Sequence, residues 1–520
     1  MQTLGAMLET TARWFPHKPF IVFEGGAITY GDFNRQAARL AGLLRSLGVK
    51  EGTPVGLYLP SCPDIAIGYH ACQKLGAIAV PISAAYKPQE LERLGRSTQM
   101  PVLICKRASI STVEAARASL PDLKHVLVAD GDAPRWALSL ESELPKSLDT
   151  FEPVDVDPEA VAAIFFTSGT TGMPKGAMQT HRSIYHALRD TQSHQKLCWK
   201  QERFLCVVPL FNNFGATVML NGCLYAAGTM ILIERWDSDK VLSLMTEHRA
   251  TFFAGTPTMF AYLLEAYRPG RHHLESLRLC MAGGAPFPPH VLAEFESTFG
   301  VPLLNGYGAS ELCGICTTEA PTGLRKPGSV GVAIGSATIQ ILDVEGNPLP
   351  VGEPGEICVS GDAVGAGYWQ DQEATAAAFT AEGWRSGDIG KLDEDGFLYV
   401  LDRKKDVIIT GGSNIFPAEV EAVLSSHPLV SLSAVVAMPD ALKGELAVGC
   451  IVAQAGAELT EEMLLSFCKE RLSSYKVPRR IEFFDMFPLG PTGKILKKDI
   501  KERLHEKVAA VVPVGTSERE

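Results

Sequence analysis

The sequence predicts an α/β fold: a large amino-terminal domain of α/β layers with a small β-rich subdomain, followed by a small, mobile α+β carboxy-terminal domain. Three observations predict it. As far as residue 330, short apolar runs alternate with helix-length segments, the texture of parallel sheets covered by helices. From about residue 331 the runs shorten and are punctuated by Gly, Pro and Asp, which suits a β-rich unit. Beyond a charged run, Asp402-Arg403-Lys404-Lys405-Asp406, a compact strand–helix–strand–helix pattern closes the chain.

Taken in order, the run 54–59 reads as a strand, 63–75 as a helix and 77–82 as the next strand. The runs 102–104, 126–128 and 161–166 continue the alternation. The β-rich texture is carried by 339–342, 356–359 and 397–400, and the last unit by strand 407–409, helix 417–424, strand 433–437 and helix 460–472. The predicted boundaries are 1–401 for the amino-terminal domain, with its β-rich part at about 331–401, then 402–510 for a domain hinged at Asp402, and 511–520 as a flexible tail.

The formal charge is −11, and a basic face of the kind that binds nucleic acid is not expected. The start has no basic region followed by an apolar run; Leu4, Leu8, Ala12 and Phe15 instead follow one helix face. The most apolar stretch, 207–233, is interrupted by Asn212, Asn213 and Asn221, whose amides are costly in hydrocarbon, so it reads as buried strand and helix and not as a membrane span. Twelve cysteines without a framework point to a reducing, cytoplasmic setting. Cys313 and Cys316 have metal-like spacing, but without a second pair they read as buried apolar side chains. His272 and His273 read as solvated loop residues. Monomer and homodimer both stay open.

The strongest local signal follows the run 161–165. It is Phe166-Thr167-Ser168-Gly169-Thr170-Thr171-Gly172-Met173-Pro174-Lys175-Gly176. Such a loop offers backbone N–H groups and hydroxyls to phosphate oxygens, and Lys175 adds a mobile positive charge. It is not a Walker loop, because Pro174-Lys175-Gly176 stands where Gly-Lys-Ser/Thr is needed. Alone, a Gly/Ser/Thr loop is most often a surface turn. A second constellation, Asn305-Gly306-Tyr307-Gly308-Ala309-Ser310-Glu311, supplies a flat ring, a close-approach glycine, a hydroxyl and a hard oxygen ligand suited to Mg²⁺. Gly383-Trp384-Arg385-Ser386-Gly387-Asp388 and Pro491-Thr492-Gly493-Lys494 complete the series.

In these motifs, their order and their spacing the chain resembles the acyl- and aryl-CoA synthetases of the adenylate-forming superfamily, from Ile28-Thr29-Tyr30 to Lys494. The resemblance implies an AMP-forming acid–thiol ligase that uses ATP, Mg²⁺ and coenzyme A on a carboxylic acid. It implies that Thr167, Ser168, Gly169, Thr170, Thr171 and Gly172 cradle phosphates with Lys175. Gly284, Ala285, Asn305, Gly306, Tyr307 and Gly308 would receive the nucleotide, Ser310 the α-phosphate, and Glu311 the Mg²⁺ ion. Asp388 and Arg403 are the implied ribose contacts. Lys494 would bridge carboxylate and α-phosphate during adenylation and then leave as the small domain rotates, presenting Gly411 and Gly412 to the thiol. Asn212 stands where the family has a histidine that shapes the acyl pocket and thiol passage.

The acid itself is expected near Asn212, Asn213, Phe214, Gly283, Gly306 and Cys313. With no acidic residue among these, a hydrophobic fatty or cyclic/aromatic acid is expected. From residue 469 to 507 there are 11 Lys/Arg against 6 Asp/Glu, either a phosphate-attracting face for CoA or a solvated helical surface. Besides a luciferase-like oxygenase, two rivals stay open. One is a stand-alone adenylating enzyme that loads a carrier-protein thiol. The other is a non-catalytic binding relative, which predicts loss of charged positions that are all present here.

Overall fold

Strands Pro54–Leu59 and Ile78–Ser83 are buried along almost their whole length and have no polar face to offer water. Both faces must therefore be covered, and the intervening helix Pro63–Leu75 crosses over so that the strands pair in parallel, Leu57 opposite Pro81. In the computed structural model, which describes residues 2–167, 174–285, 287, 289–410, 413–440, 442–454, 456–488 and 495–511, this pair is central to one of two large sheets.

Among the described residues the first sheet has seven strands, ordered Leu138–Ser139, His125–Val128, Val102–Cys105, Pro54–Leu59, Ile78–Ser83, Val161–Thr167 and Lys175–Thr180. The second has nine, ordered Val332–Ala333, Gly314–Thr318, Leu303–Ala309, Leu279–Ala282, Phe252–Gly255, Arg203–Cys206, Thr229–Leu232, Pro19–Phe23 and Gly26–Thr29. The central pairings are parallel, and the antiparallel ones lie towards the edges.

One core joins the two sheets. Leu57, Ile104 and Phe165 of the first meet Phe204, Phe252 and Met281 of the second through helices that carry Leu8, Phe33, Tyr69 and Leu188. The helix Pro63–Leu75 is buried on every side, so even Lys74 is inside. Its ammonium is held by Glu9 Oε2 at 2.7 Å and the Phe151 carbonyl at 3.1 Å, which offsets the cost of burying a charge.

The short strands after residue 331 build a five-stranded antiparallel sheet from Thr338–Leu342, Gly355–Ser360, Phe379–Thr380, Gly383–Leu392 and Leu398–Arg403. A further sheet, Ile408–Thr410, Ser413–Ile415, Val430–Asp440, Gly444–Ala453 and Arg480–Phe483, is covered on both faces. Val420, Leu424 and Leu464 pack on Val435 and Ile451 on one side, and Ile500 and Leu504 pack on Val436 and Cys450 on the other.

Asp402 lies at the junction between these two sheets. Its Oδ2 accepts from the Ala418 N–H at 2.7 Å, in the first turn of helix Pro417–Ser425, and its Oδ1 accepts from the Arg403 N–H at 2.8 Å. Burial pushes the carboxyl up to about 6, against the opposing pull of Lys497. The folded chain thus holds this proton more tightly than the unfolded chain does. Ionisation of Asp402 therefore costs folding stability as pH rises from about 4 to about 6. Asp402→Asn keeps an oxygen for Ala418 and removes that cost. The melting temperature of the variant minus that of the wild type is expected to increase between pH 4 and 7 in scanning calorimetry; a pH-independent difference would contradict the assignment.

Three further expectations meet the structure here. His272 is buried and not a solvated loop residue: its Nδ1 accepts from the Arg268 N–H at 3.1 Å, whereas His273 is exposed. All twelve cysteines are free, and Cys313 and Cys316 are buried. Among the described residues no helix is long and apolar enough to cross a membrane.

Candidate active site

Several of the singled-out residues stand at or beyond the carboxyl ends of strands in the two large sheets, where open α/β sheets place their ligands. Thr167 ends strand Val161–Thr167, Gly283, Gly284 and Ala285 follow strand Leu279–Ala282, and Asn212 and Asn213 come just after Arg203–Cys206. Residues 305–309 form the end of strand Leu303–Ala309 and run into the short helical turn Ser310–Leu312. Ser168, Gly169, Thr170, Thr171 and Gly172 lie outside the described residues. Their flanks are fixed: Thr167 pairs with Lys175 across the antiparallel hairpin, and its hydroxyl donates to the Lys175 carbonyl at 3.3 Å.

Two residues that no motif pointed to tie this hairpin to the 305–311 segment. Gln179, on the strand after the loop, donates from Nε2 to Asn213 Oδ1 at 2.8 Å and to the Ser310 carbonyl at 2.7 Å, and its Oε1 accepts from the Thr217 hydroxyl. Tyr368 pairs as an isolated bridge with Ala177. Its hydroxyl donates to Glu311 Oε1 at 2.9 Å, and Lys175 Nζ sits 4.9 Å from its ring centroid. Tyr368 thereby stands between the lysine of the loop and the carboxylate of the second motif. Sequence offered only a Gly-Ala-Gly-Tyr-Trp run between β segments as a signal for it.

Glu311 is buried, and burial raises its carboxyl above the ordinary range; its own backbone N–H, the Tyr368 hydroxyl and Arg403 act in the opposite direction. A divalent cation there would offset the same desolvation. Among the described residues no three His, Cys, Asp or Glu side chains are placed to hold a metal by themselves. A single buried carboxylate suits Mg²⁺ better than a metal that needs a full cage of protein ligands, because Mg²⁺ completes its shell from phosphates and water.

Asp388 is buried on strand Gly383–Leu392. The Tyr307 hydroxyl donates to its Oδ2 at 2.6 Å, and Arg403 Nε pairs with its Oδ1 at 2.7 Å. Tyr307 therefore carries an anchoring hydroxyl as well as a flat ring. Asp388 and Arg403 are also close enough to act on the Glu311 carboxyl, so the expected ribose and metal contacts converge. Gly308 has a stricter reason than substrate approach. A Cβ there would stand 1.9 Å from the Gly314 carbonyl oxygen of the paired strand. Asn305 holds the motif in place through its Nδ2, which donates to the Ser329 carbonyl at 3.1 Å.

At the acid end, Phe214, Gly283 and Gly306 come together: a Cβ on Gly283 would lie 4.0 Å from the Phe214 ring and 3.8 Å from the Gly306 carbonyl. The side chains of Asn213 and Asn212 are both hydrogen-bonded within the protein. Both polar ends of the Asn213 amide are engaged, by Gln179 and by the Ala309 carbonyl. The Asn212 side chain accepts from the Gly215 N–H at 2.9 Å and locks the turn that leads into Phe214–Asn221. That segment is π-helical and not an ordinary helix. A Cβ on Gly215 would lie 2.2 Å from the Pro209 carbonyl, so the turn requires glycine. Cys313 is buried, and its thiol bonds to the Ser183 hydroxyl.

Gly411, Gly412 and Lys494 lie outside the described residues. The basic excess beyond residue 469 is partly neutralised by carboxylates from outside that stretch: Lys476 pairs with Glu419 and Lys497 with Glu421. A phosphate-attracting face there is correspondingly weaker than the bare count suggests.

A sequence profile of AMP-binding enzymes matches residues 8–369, and that of the AMP-binding enzyme carboxy-terminal domain matches residues 419–494. The chain belongs to the AMP-binding enzyme family. It is 33% identical over 538 aligned residues to a long-chain-fatty-acid–CoA ligase of Bacillus subtilis, covering 96% of this chain and 94% of that one. It is 35% identical over 504 residues to a feruloyl-CoA synthase of an Amycolatopsis species, covering 96% and 99%. Among solved structures, the anthranilate CoA ligase AuaEII in complex with anthranoyl-AMP superposes with a TM-score of 0.92 at 28% identity, covering 98% of each chain. The AuaEII structure thus shares the fold over nearly the whole of both chains.

Proposed function

We propose that this AMP-binding enzyme is an AMP-forming acid–thiol ligase. It converts a hydrophobic fatty or cyclic/aromatic carboxylic acid and Mg-ATP to acyl-AMP and pyrophosphate, and the thiol of coenzyme A then displaces AMP. The observation that carries the reading is the linkage through Gln179 and Tyr368. It ties Lys175 and Glu311 together through Tyr368 and ties the 305–311 segment to Asn213 through Gln179, while Tyr307 of that segment bonds the Asp388 that pairs with Arg403.

In this reading the loop from Thr167 to Gly172 and Lys175 hold the β- and γ-phosphates as they leave, Glu311 would hold the Mg²⁺ ion, and the Ser310 hydroxyl donates to the α-phosphate. Asp388 accepts the ribose hydroxyl protons, keeping its geometry through Tyr307 and Arg403. Mg²⁺ supplies charge neutralisation on the phosphates. Lys494 reaches the attacking carboxylate and the α-phosphate. Residues 1–401 and 402–510 then act as separate bodies, and rotation at Asp402 exchanges Lys494 for the Gly411–Gly412 segment when the thiol enters. Twelve unpaired cysteines support a cytoplasmic setting.

The deciding measurement is pyrophosphate release over a panel of fatty and aromatic acids, with and without coenzyme A, alongside detection of the thioester. ATP-dependent thioester with at least one acid is expected. Adenylate without a CoA thioester for every acid would sink the ligase reading in favour of a carrier-loading enzyme.

A further inference from the structure

Gln179 is 0% exposed, and a buried amide is costly unless each of its polar ends is paired. Here the pairing is complete. Nε2 donates to Asn213 Oδ1 at 2.8 Å and to the Ser310 carbonyl at 2.7 Å, and Oε1 accepts from the Thr217 hydroxyl at 3.2 Å. The strand that carries Gln179 is fixed on its other edge as well. The Met178 N–H donates to the Gly367 carbonyl, and the Met178 carbonyl accepts from the Ala366 N–H, each at 2.9 Å. An amide on so firmly held a backbone acts as a post to which other segments are tied.

Two segments are tied to it. The first is the turn that carries Ser310 and Glu311, where three successive carbonyls each meet a different donor. Asn213 Nδ2 takes that of Ala309 at 3.2 Å, Gln179 takes that of Ser310, and the Gly365 N–H takes that of Glu311 at 2.7 Å. The second is the segment that carries Phe214, the ring nearest a Cβ on Gly283. Asn213 stands immediately before Phe214 and Thr217 three residues after it, so both flanks of this ring are bonded to Gln179. Asn213 closes the circuit, with one end of its amide on Gln179 and the other on the Ala309 carbonyl. Asn213, Thr217 and Gln179 are all buried, so these bonds are not readily exchanged for water, and a shift of either segment is felt by the other.

We propose that Gln179 is a positioning residue that couples the two substrates: an acid seated against Phe214 sets, through Asn213, Thr217 and Gln179, the place of the Ser310 hydroxyl, so that acid and nucleotide bind with positive linkage. The proposal rests on the ligase reading above and adds the means by which the site registers that both substrates are present. Gln179 touches neither of them and acts through Phe214 and Ser310. An acid that fails to seat the Phe214 segment leaves the hydroxyl away from the α-phosphate. A misplacement of about 1 Å costs on the order of a hundredfold in rate, so a poorly seated acid loses in kcat and not only in KM.

The test measures binding of α,β-methylene-ATP with Mg²⁺, which cannot release pyrophosphate, to the full chain by titration calorimetry. It is done alone and with a saturating amount of the panel acid that gives the highest kcat/KM with ATP. In the wild type the acid is expected to tighten the nucleotide by about fivefold or more. Gln179→Met keeps the length of the side chain and removes the amide. Its linkage factor is expected to fall towards one, and kcat for pyrophosphate release to fall by about tenfold or more, a larger loss than in KM for ATP. Thr217→Val keeps the branched shape, removes one bond of the circuit and is expected to lower the factor part of the way. It carries the test alone if Gln179→Met does not melt cooperatively. A merely structural glutamine would lower the melting temperature and leave the linkage factor untouched. A wild-type factor of one, or a factor in either folded variant equal to that of the wild type, would overturn the proposal. The ligase reading would then still stand, because the acid used has already released pyrophosphate. Absence of release with every acid of the panel is the separate failure that removes the ligase reading and this coupling with it.

Discussion

Glu311→Gln is expected to lower pyrophosphate release at saturating ATP by about two orders of magnitude, and excess Mg²⁺ is expected to restore part of the loss. Glutamine keeps the size of the side chain and an oxygen for the Tyr368 hydroxyl, so the local packing should survive. What it removes is the negative charge, and a neutral amide is a poor ligand for a hard cation. Burial already raises the Glu311 carboxyl. The variant is therefore relieved of a desolvation cost, and its melting temperature without nucleotide should equal or exceed that of the wild type. The sign of the pH effect follows from the same shift. The ionised form is the ligand, so the apparent Mg²⁺ affinity falls as pH drops towards the raised value, and this limb should vanish in the variant. A Mg²⁺ titration of pyrophosphate release at several pH values measures all of this. An unchanged rate with an unchanged Mg²⁺ dependence would remove Glu311 from the metal site.

The fold was legible where local pattern and burial agree. Runs such as 54–59 and 77–82 are apolar without alternation, and only a strand covered on both faces satisfies that pattern; both became central parallel strands. The site was legible where chemistry is written in contiguous residues, as in 305–311. It was not legible where one side chain serves distant segments. Gln179 reaches the Ser310 carbonyl across 131 residues, and Tyr368 reaches Glu311 across 57. Neither position has a local signature that separates it from an ordinary strand glutamine or a core tyrosine. Asn212 shows a different limit. A short amide bonds its own backbone as readily as a ligand, and here it takes the Gly215 N–H, so the place where a histidine is usual has become a turn lock. His272 failed for a related reason. Its neighbours Arg271 and His273 suggest solvent, while the chain returns to cover it. Likewise, a count of lysines beyond residue 469 could not register that their carboxylate partners Glu419 and Glu421 come from a helix more than 40 residues earlier.

Lys494→Ala is expected to cost the adenylation half-reaction about two to three orders of magnitude while leaving thioester formation from supplied acyl-AMP largely intact. As the carboxylate attacks the α-phosphate, negative charge concentrates between two groups that already repel. A mobile ammonium placed there acts on the transition state more than on the ground state, so the loss should appear in kcat. The second half-reaction expels AMP in favour of a thiol and, in the proposed rotation, runs with Lys494 withdrawn. The chain just beyond Lys494 is mechanically coupled to the pivot. Lys497, three positions on, is held by Glu421 at 2.7 Å on helix Pro417–Ser425, whose first turn is bonded to Asp402 at the proposed hinge. The segment that follows Lys494 is thus tied to the helix nearest the pivot and should travel with it as one body. Rapid-quench measurement of each half-reaction separates the two effects. If alanine slowed both halves equally, the lysine would be serving both conformations, and rotation at Asp402 would lose its purpose.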